Sequence, residues 1–106
     1  MPPVLTIVLP AYNEELCIAD VVGEWLAVAR RVGEARVMVV DDGSRDNTRH
    51  ILNGLLPAHP ELAVVHQQNG GHGAAIQLGY RMALDEQSEW IFQTDSDGQT
   101  SAALAT

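Results

Sequence analysis

The sequence predicts an α/β domain: a Rossmann-like parallel sheet in strand order 3-2-1-4, with helices on both faces. Three observations predict it. Four short apolar runs rich in β-branched residues alternate with three stretches of helical periodicity. The strongest runs are nearly continuous in apolar character rather than alternating, as strands covered on both faces are. Each run also ends directly at a cluster of polar and turn-forming residues, which is where a βαβ chain places its loops.

The first run, Val4 to Leu9, reads as a buried strand that Pro10 ends. Asn13 is an expected N-cap. Ile18, Val21, Val22, Trp25, Leu26 and Ala29 recur at helical spacing, so a helix is expected from about Glu14 to Arg31. Glu14 and Glu15 then fall in its first turn, where Glu15 complements the helix dipole.

After Gly33, Arg36 to Val40 forms a second strand ending at Asp41-Asp42-Gly43-Ser44. Asp46 or Asn47 is positioned to cap a second helix carrying Ile51, Leu52, Leu55 and Leu56, which Pro57 and Pro60 close. Leu62 to His66 is a third strand. Asn69-Gly70-Gly71-His72-Gly73 is a glycine-rich turn opening a third helix with a narrow, small-residue face of Ala75, Ile76, Gly79 and Ala83. Its glycines would let backbone amides approach a ligand at a helix N-terminus, whereas His72 reads as an ordinary loop histidine. Trp90 to Thr94 is the fourth strand. It stops at Asp95-Ser96-Asp97-Gly98, two carboxylates one residue apart.

Composition narrows the function classes. A chain of 106 residues with 46% hydrophobic and 19% charged residues is globular, and no apolar run reaches the ~20 residues of a membrane span. No leader pattern precedes Val4, so a cytoplasmic location is expected. Cys17, the single cysteine, permits no internal disulfide and reads as a packing residue. The formal net charge of -8, with arginines but no lysine, argues against a nucleic-acid groove. An anionic ligand would need a metal ion or backbone amides.

The polar clusters YNEE, DDGS, NGGHG and DSDGQ all follow predicted strands. In an open parallel sheet such ends share one rim, and ligands bind there where the strand order reverses. In order 3-2-1-4 that point lies between the first and fourth strands, with Tyr12 on one side and Asp95 to Gln99 on the other. Two carboxylates that close repel by roughly 4 kcal/mol at an effective dielectric near 20. A hard divalent cation is the natural partner.

In this order, VLPAYNEE, VVDDGSRDNT, NGGHGAAIQLG and FQTDSDGQ resemble the N-terminal, donor-binding half of a family 2 glycosyltransferase with the GT-A fold. The last two blocks are most similar to the branch that transfers sugars to polyprenyl phosphates, of the dolichol-phosphate mannosyltransferase type. The resemblance implies that residues 1–99 form the nucleotide-sugar-binding half and that 100–106 is a tail without an assigned element. It implies that Pro10, Tyr12 and Glu14 line the base and ribose, and that Asp42, with Val40, hydrogen-bonds the base or ribose. Asp95 and Ser96 would lie near the ribose and diphosphate. Asp97 and Gln99, with Asp95, would hold Mg2+ or Mn2+.

The implied activity is transfer, with inversion, from a nucleotide-diphosphate sugar to an acceptor such as a polyprenyl phosphate, at the cytoplasmic face of a membrane in a full-length protein. Catalytic domains of the family are considerably longer. The chain is therefore expected to be a truncated half, inactive alone, and no catalytic base is named. Its fourth strand would expose an edge open to self-association. The alternative is a non-catalytic nucleotide-binding or assembly module. A haloacid-dehalogenase-type phosphatase is disfavoured because its D-x-D-G motif would follow the first strand. An EF-hand is excluded because Gly98 is misplaced and Thr106 occupies the twelfth position.

Overall fold

In the computed structural model, which describes residues 3–94, the chain forms β1 (Leu5–Ala11), α1 (Ile18–Val32), β2 (Ala35–Asp41) and α2 (Thr48–Leu55). A 3-10 turn at Leu56–Ala58 follows, then β3 (Leu62–His66), α3 (His72–Asp85) and β4 (Trp90–Gln93). The sheet order is β3-β2-β1-β4, and every pairing is parallel. Both are as expected. The register sets Ala11 beside Asp41 and Asp41 beside His66, so these strand ends share one rim.

Side chains alternate across the sheet and divide the core in two. Ile7, Leu9, Val37 and Val39 pack with Ile18, Val22, Trp25 and Leu26 of α1 and Leu52 of α2. On the other face α3 lies so close that a Cβ added at Gly79 would sit 2.3 Å from Val8 Cγ1 and 3.4 Å from Val40 Cγ2. Small residues on α3 permit this approach. No described helix is long and apolar enough to cross a membrane.

Two boundaries differ from expectation by more than one residue. Strand β1 does not stop at Pro10 but continues to Ala11. The amides of Trp90 and Thr94 donate to the carbonyls of Val4 and Val8 on the β4 side, and Asp42 donates to Ala11 on the β2 side. Alternation therefore turns the missing N–H of Pro10 toward β4, beyond the last β1–β4 pair, Val8 with Gln93. The proline breaks no bond to β2.

Helix α1 begins at Ile18, with Cys17 rather than Asn13 at its N-cap. Residues 14–17 form a turn in which Cys17 and Ile18 donate to the Glu14 carbonyl. Asn13 is left-handed, at φ 51°, a conformation that asparagine tolerates better than most residues. Its side chain is engaged elsewhere, accepting the Arg45 N–H at 2.8 Å.

Candidate functional site

Asp41, the last residue of β2, and Asp42, just after it, point to opposite faces, and each is buried, Asp41 to 1% exposure and Asp42 to 4%. Asp41 Oδ1 accepts the Ser44 N–H at 3.1 Å, closing the turn. Its Oδ2 lies 2.8 Å from His66 Nδ1, while His66 Nε2 meets Asn53 Oδ1 at 2.9 Å. This pair joins the ends of β2 and β3 to α2.

Asp42 faces the glycine-rich loop. Its Oδ1 accepts from Gln67 Nε2 at 2.7 Å and from the Gly70 N–H at 2.8 Å. Its Oδ2 accepts from the Gly71 N–H at 3.0 Å and from Asn69 Nδ2 at 3.4 Å. Gly71 is the N-cap of α3, so the carboxylate lies where a helix N-terminus favours an anion. The amides of Gly70 and Gly71 are thus occupied by the chain's own Asp42. Gly43, at φ 74°, lets the two segments touch, for a Cβ there would stand 2.7 Å from the Asn69 backbone nitrogen.

On the other side of β2, the segment after β1 is strapped to the turn before α2. The Asn13 N–H donates to Ser44 Oγ at 2.9 Å, Glu14 N–H to Thr48 Oγ1 at 2.8 Å, and Glu15 N–H to Asp46 Oδ2 at 3.2 Å. In return, Asn13 Oδ1 accepts from Arg45 N–H, and Glu15 Oε2 accepts from Asn47 N–H at 3.3 Å. Glu15 therefore lies before the helix and hooks the neighbouring turn, rather than complementing the dipole from within the first turn.

Asp46 also accepts the Thr48 N–H, at 2.9 Å. Partial burial pushes its carboxyl up, but the Thr48 hydroxyl and the Thr48, Glu15 and Asp46 amides outweigh that and hold it below the ordinary value.

These straps present Tyr12 at the rim, 42% exposed. Glu14 beside it is half-buried, its Oε2 accepting from the Cys17 thiol at 3.4 Å. Pro10 and Val40 pair side by side beneath them and are buried. The Val40 side chain packs under α3. Tyr12, Glu14 and Asp42 are thus brought to one rim, with the Asp42 carboxylate turned into the glycine loop. Asp95, Ser96, Asp97 and Gln99 lie outside the described residues.

No group of three His, Cys, Asp or Glu side chains among the described residues is placed to hold a metal ion. Asp41 and Asp42 have all four carboxylate oxygens engaged by protein partners. The expected donor set of Asp95, Asp97 and Gln99 supplies two carboxylates and an amide, hard oxygen ligands of the kind Mg2+ and Mn2+ take. In chemical type the set fits the ion.

The family model described as "Glycosyl transferase family 2" matches residues 6–103. The chain belongs to glycosyl transferase family 2. Over 102 residues this family 2 chain is 38% identical to a dolichyl-phosphate beta-glucosyltransferase of Trichomonas vaginalis, covering 90% of this chain and 29% of that protein. It is 31% identical over 85 residues to an undecaprenyl-phosphate 4-deoxy-4-formamido-L-arabinose transferase of Pectobacterium atrosepticum, covering 77% of this chain and 26% of the relative. A mannosyltransferase of Pyrobaculum calidifontis, solved in complex with GDP-Man and Mn2+, superposes with a TM-score of 0.70 at 24% identity. That match covers 92% of this chain and 28% of the neighbour, and it shows a shared fold. The chain thus spans under a third of each of these three proteins.

Sequence reasoning about this family 2 chain did not assign Ser44, Thr48, Gln67 and Asn69, and considered Asp46 only as a helix cap. No periodic signal marked them, because every residue from Ser44 to His50 is polar, and Gln67 and Asn69 had no pattern either.

Proposed function

We propose that this chain is the donor-binding part of a family 2 glycosyltransferase, taking a nucleotide-diphosphate sugar with Mg2+ or Mn2+ and passing the sugar, with inversion, to a polyprenyl-phosphate acceptor at the cytoplasmic face of a membrane. The observation that carries the reading is the exposed Tyr12, strapped beside Glu14 at the rim where strand order reverses. It is supported by relatives named for dolichyl- and undecaprenyl-phosphate transfer and by a neighbour of the same fold bound to GDP-Man and Mn2+.

In this reading Tyr12 and Glu14 line the base and ribose, with Pro10 and Val40 forming the floor. Asp42 shapes the adjoining glycine loop, and Asp95 and Ser96 face the ribose and diphosphate. Asp97 and Gln99, with Asp95, would hold the metal. When bound, that ion supplies positive charge against the charge growing on the leaving diphosphate. With a net charge of -8, the chain needs such a cation to accept an anionic donor. The test is a titration of UDP and GDP with and without Mn2+. Metal-dependent binding of either supports the reading, and no binding of either in the presence of Mn2+ overturns it.

The reading extends to assembly. The apolar residues Trp90 and Phe92 on β4 are 69% and 41% exposed, and β4 has no strand beyond it among the described residues. We propose that a second copy pairs there, antiparallel about a two-fold axis, because such an edge is complementary to itself.

A further inference from the structure

We infer that Ser44, Asp46 and Thr48 are positioning residues that set the nucleotide-facing loop from Tyr12 to Glu15. The proposal deepens the donor-binding reading and rests on it for its ligand. Three successive amides, those of Asn13, Glu14 and Glu15, donate to three side chains of one turn, Ser44, Thr48 and Asp46. Two amides of that turn, Arg45 and Asn47, donate back to the side chains of Asn13 and Glu15. The loop thus borrows its partners from the next βα connection, because these three amides precede α1, which begins only at Ile18.

Thr48 is the centre of the arrangement. It is fully buried, and its hydroxyl accepts the Glu14 N–H at 2.8 Å while its own N–H donates to Asp46 Oδ1 at 2.9 Å. Asp46 in turn accepts the amides of Glu15 and Thr48. Glu14 is therefore held by a buried hydroxyl on a residue whose backbone amide is anchored by Asp46. Asn13, between Tyr12 and Glu14, is fixed at φ 51° by bonds in both directions. Freeing this loop lets Tyr12 and Glu14 sample other directions, so a preformed contact surface becomes one that must be ordered on binding. Neither Thr48 nor Asp46 need touch the ligand for this to matter.

The test uses the chain itself, with Thr48→Val, Thr48→Ser and Ser44→Ala. Valine matches threonine in shape but has no hydroxyl, whereas serine restores the hydroxyl alone. Two quantities are read: the Kd for UDP or GDP with Mn2+, and amide hydrogen exchange at Asn13, Glu14 and Glu15 without ligand. Thr48→Val should weaken nucleotide binding at least tenfold and speed exchange of the Glu14 amide at least tenfold, leaving exchange in β1 and β2 unchanged. Thr48→Ser should return both to within about threefold of the parent chain.

Should Thr48→Val fail to fold, Ser44→Ala must still speed exchange at Asn13 and weaken binding. Unchanged Glu14 exchange in Thr48→Val, or Asn13 exchange in Ser44→Ala, overturns the positioning role whatever the nucleotide does. Faster exchange with an unchanged Kd overturns its bearing on the ligand. A parent chain that binds neither nucleotide, yet shows the exchange response, overturns the donor-binding reading and leaves the loop-setting role standing.

Discussion

The N–H of Gly71, at the start of α3, donates to Asp42 Oδ2 at 3.0 Å, so the anion at that helix terminus is supplied by the end of β2. The same carboxylate accepts from Gly70 and Gln67. At 4% exposure it has exchanged water for protein donors. Asp42→Asn keeps the shape but turns one acceptor into a donor facing an N–H. A loss of about 2 kcal/mol is expected, in the range of a hydrogen bond to a charged group. Urea unfolding measures it, and a variant as stable as the parent would refute the account of the glycine loop.

Gly79→Ala sets two effects against each other. Alanine favours a helix interior by about 1 kcal/mol, but its Cβ would fall 2.3 Å from Val8 Cγ1. Val8 is fully buried and β-branched, so it has little room to turn. Overpacking should win, leaving the variant about 1–2 kcal/mol less stable. Adding Val8→Ala should recover part of that loss, visible as a favourable coupling energy in a double-mutant cycle.

The pH dependence of Asp46 follows from the sign of its shift. A carboxyl held below its unfolded value contributes stability that is present above about pH 3.9 and lost as pH falls through the lower folded value. The amides of Glu15 and Thr48, which donate to it, should therefore shift in NMR spectra with a midpoint below about pH 3.9. Asp46→Asn should abolish that step.

Asp97→Ala should remove the Mn2+ dependence of nucleotide binding under the proposed metal assignment. Glu15→Ala breaks only the exposed bond to Asn47 and should cost about 0.5 kcal/mol. Equal losses of nucleotide affinity in a titration with Mn2+ would undo this separation of roles.

Self-association is checked by sedimentation. The parent chain should show a concentration-dependent dimer, and Trp90→Arg, which places a charge on the exposed end of β4, should be monomeric at the same concentrations. A parent chain monomeric at millimolar concentration would exclude the β4 interface.

The sequence by itself determined the element order, the parallel sheet in order 3-2-1-4, the core faces of the helices and the family. These rest on local apolar periodicity and on motif blocks whose spacing is written in the chain. It also sent Tyr12, Glu14 and Asp42 to one rim, because all three follow parallel strands. Only the tertiary structure decided the partners of the polar groups. Asp42 was legible as a rim residue, but its four donors come from residues 67–71, and no periodicity relates the two segments. Asn13 looked like a helix cap because its helix follows at once. Across the turn, Ser44, Asp46 and Thr48 offered oxygens to the loop, and α1 began four residues beyond Glu14. Hydrogen bonding is short-ranged and directional, so the parallel βα connections choose their partners only once the sheet has set them side by side.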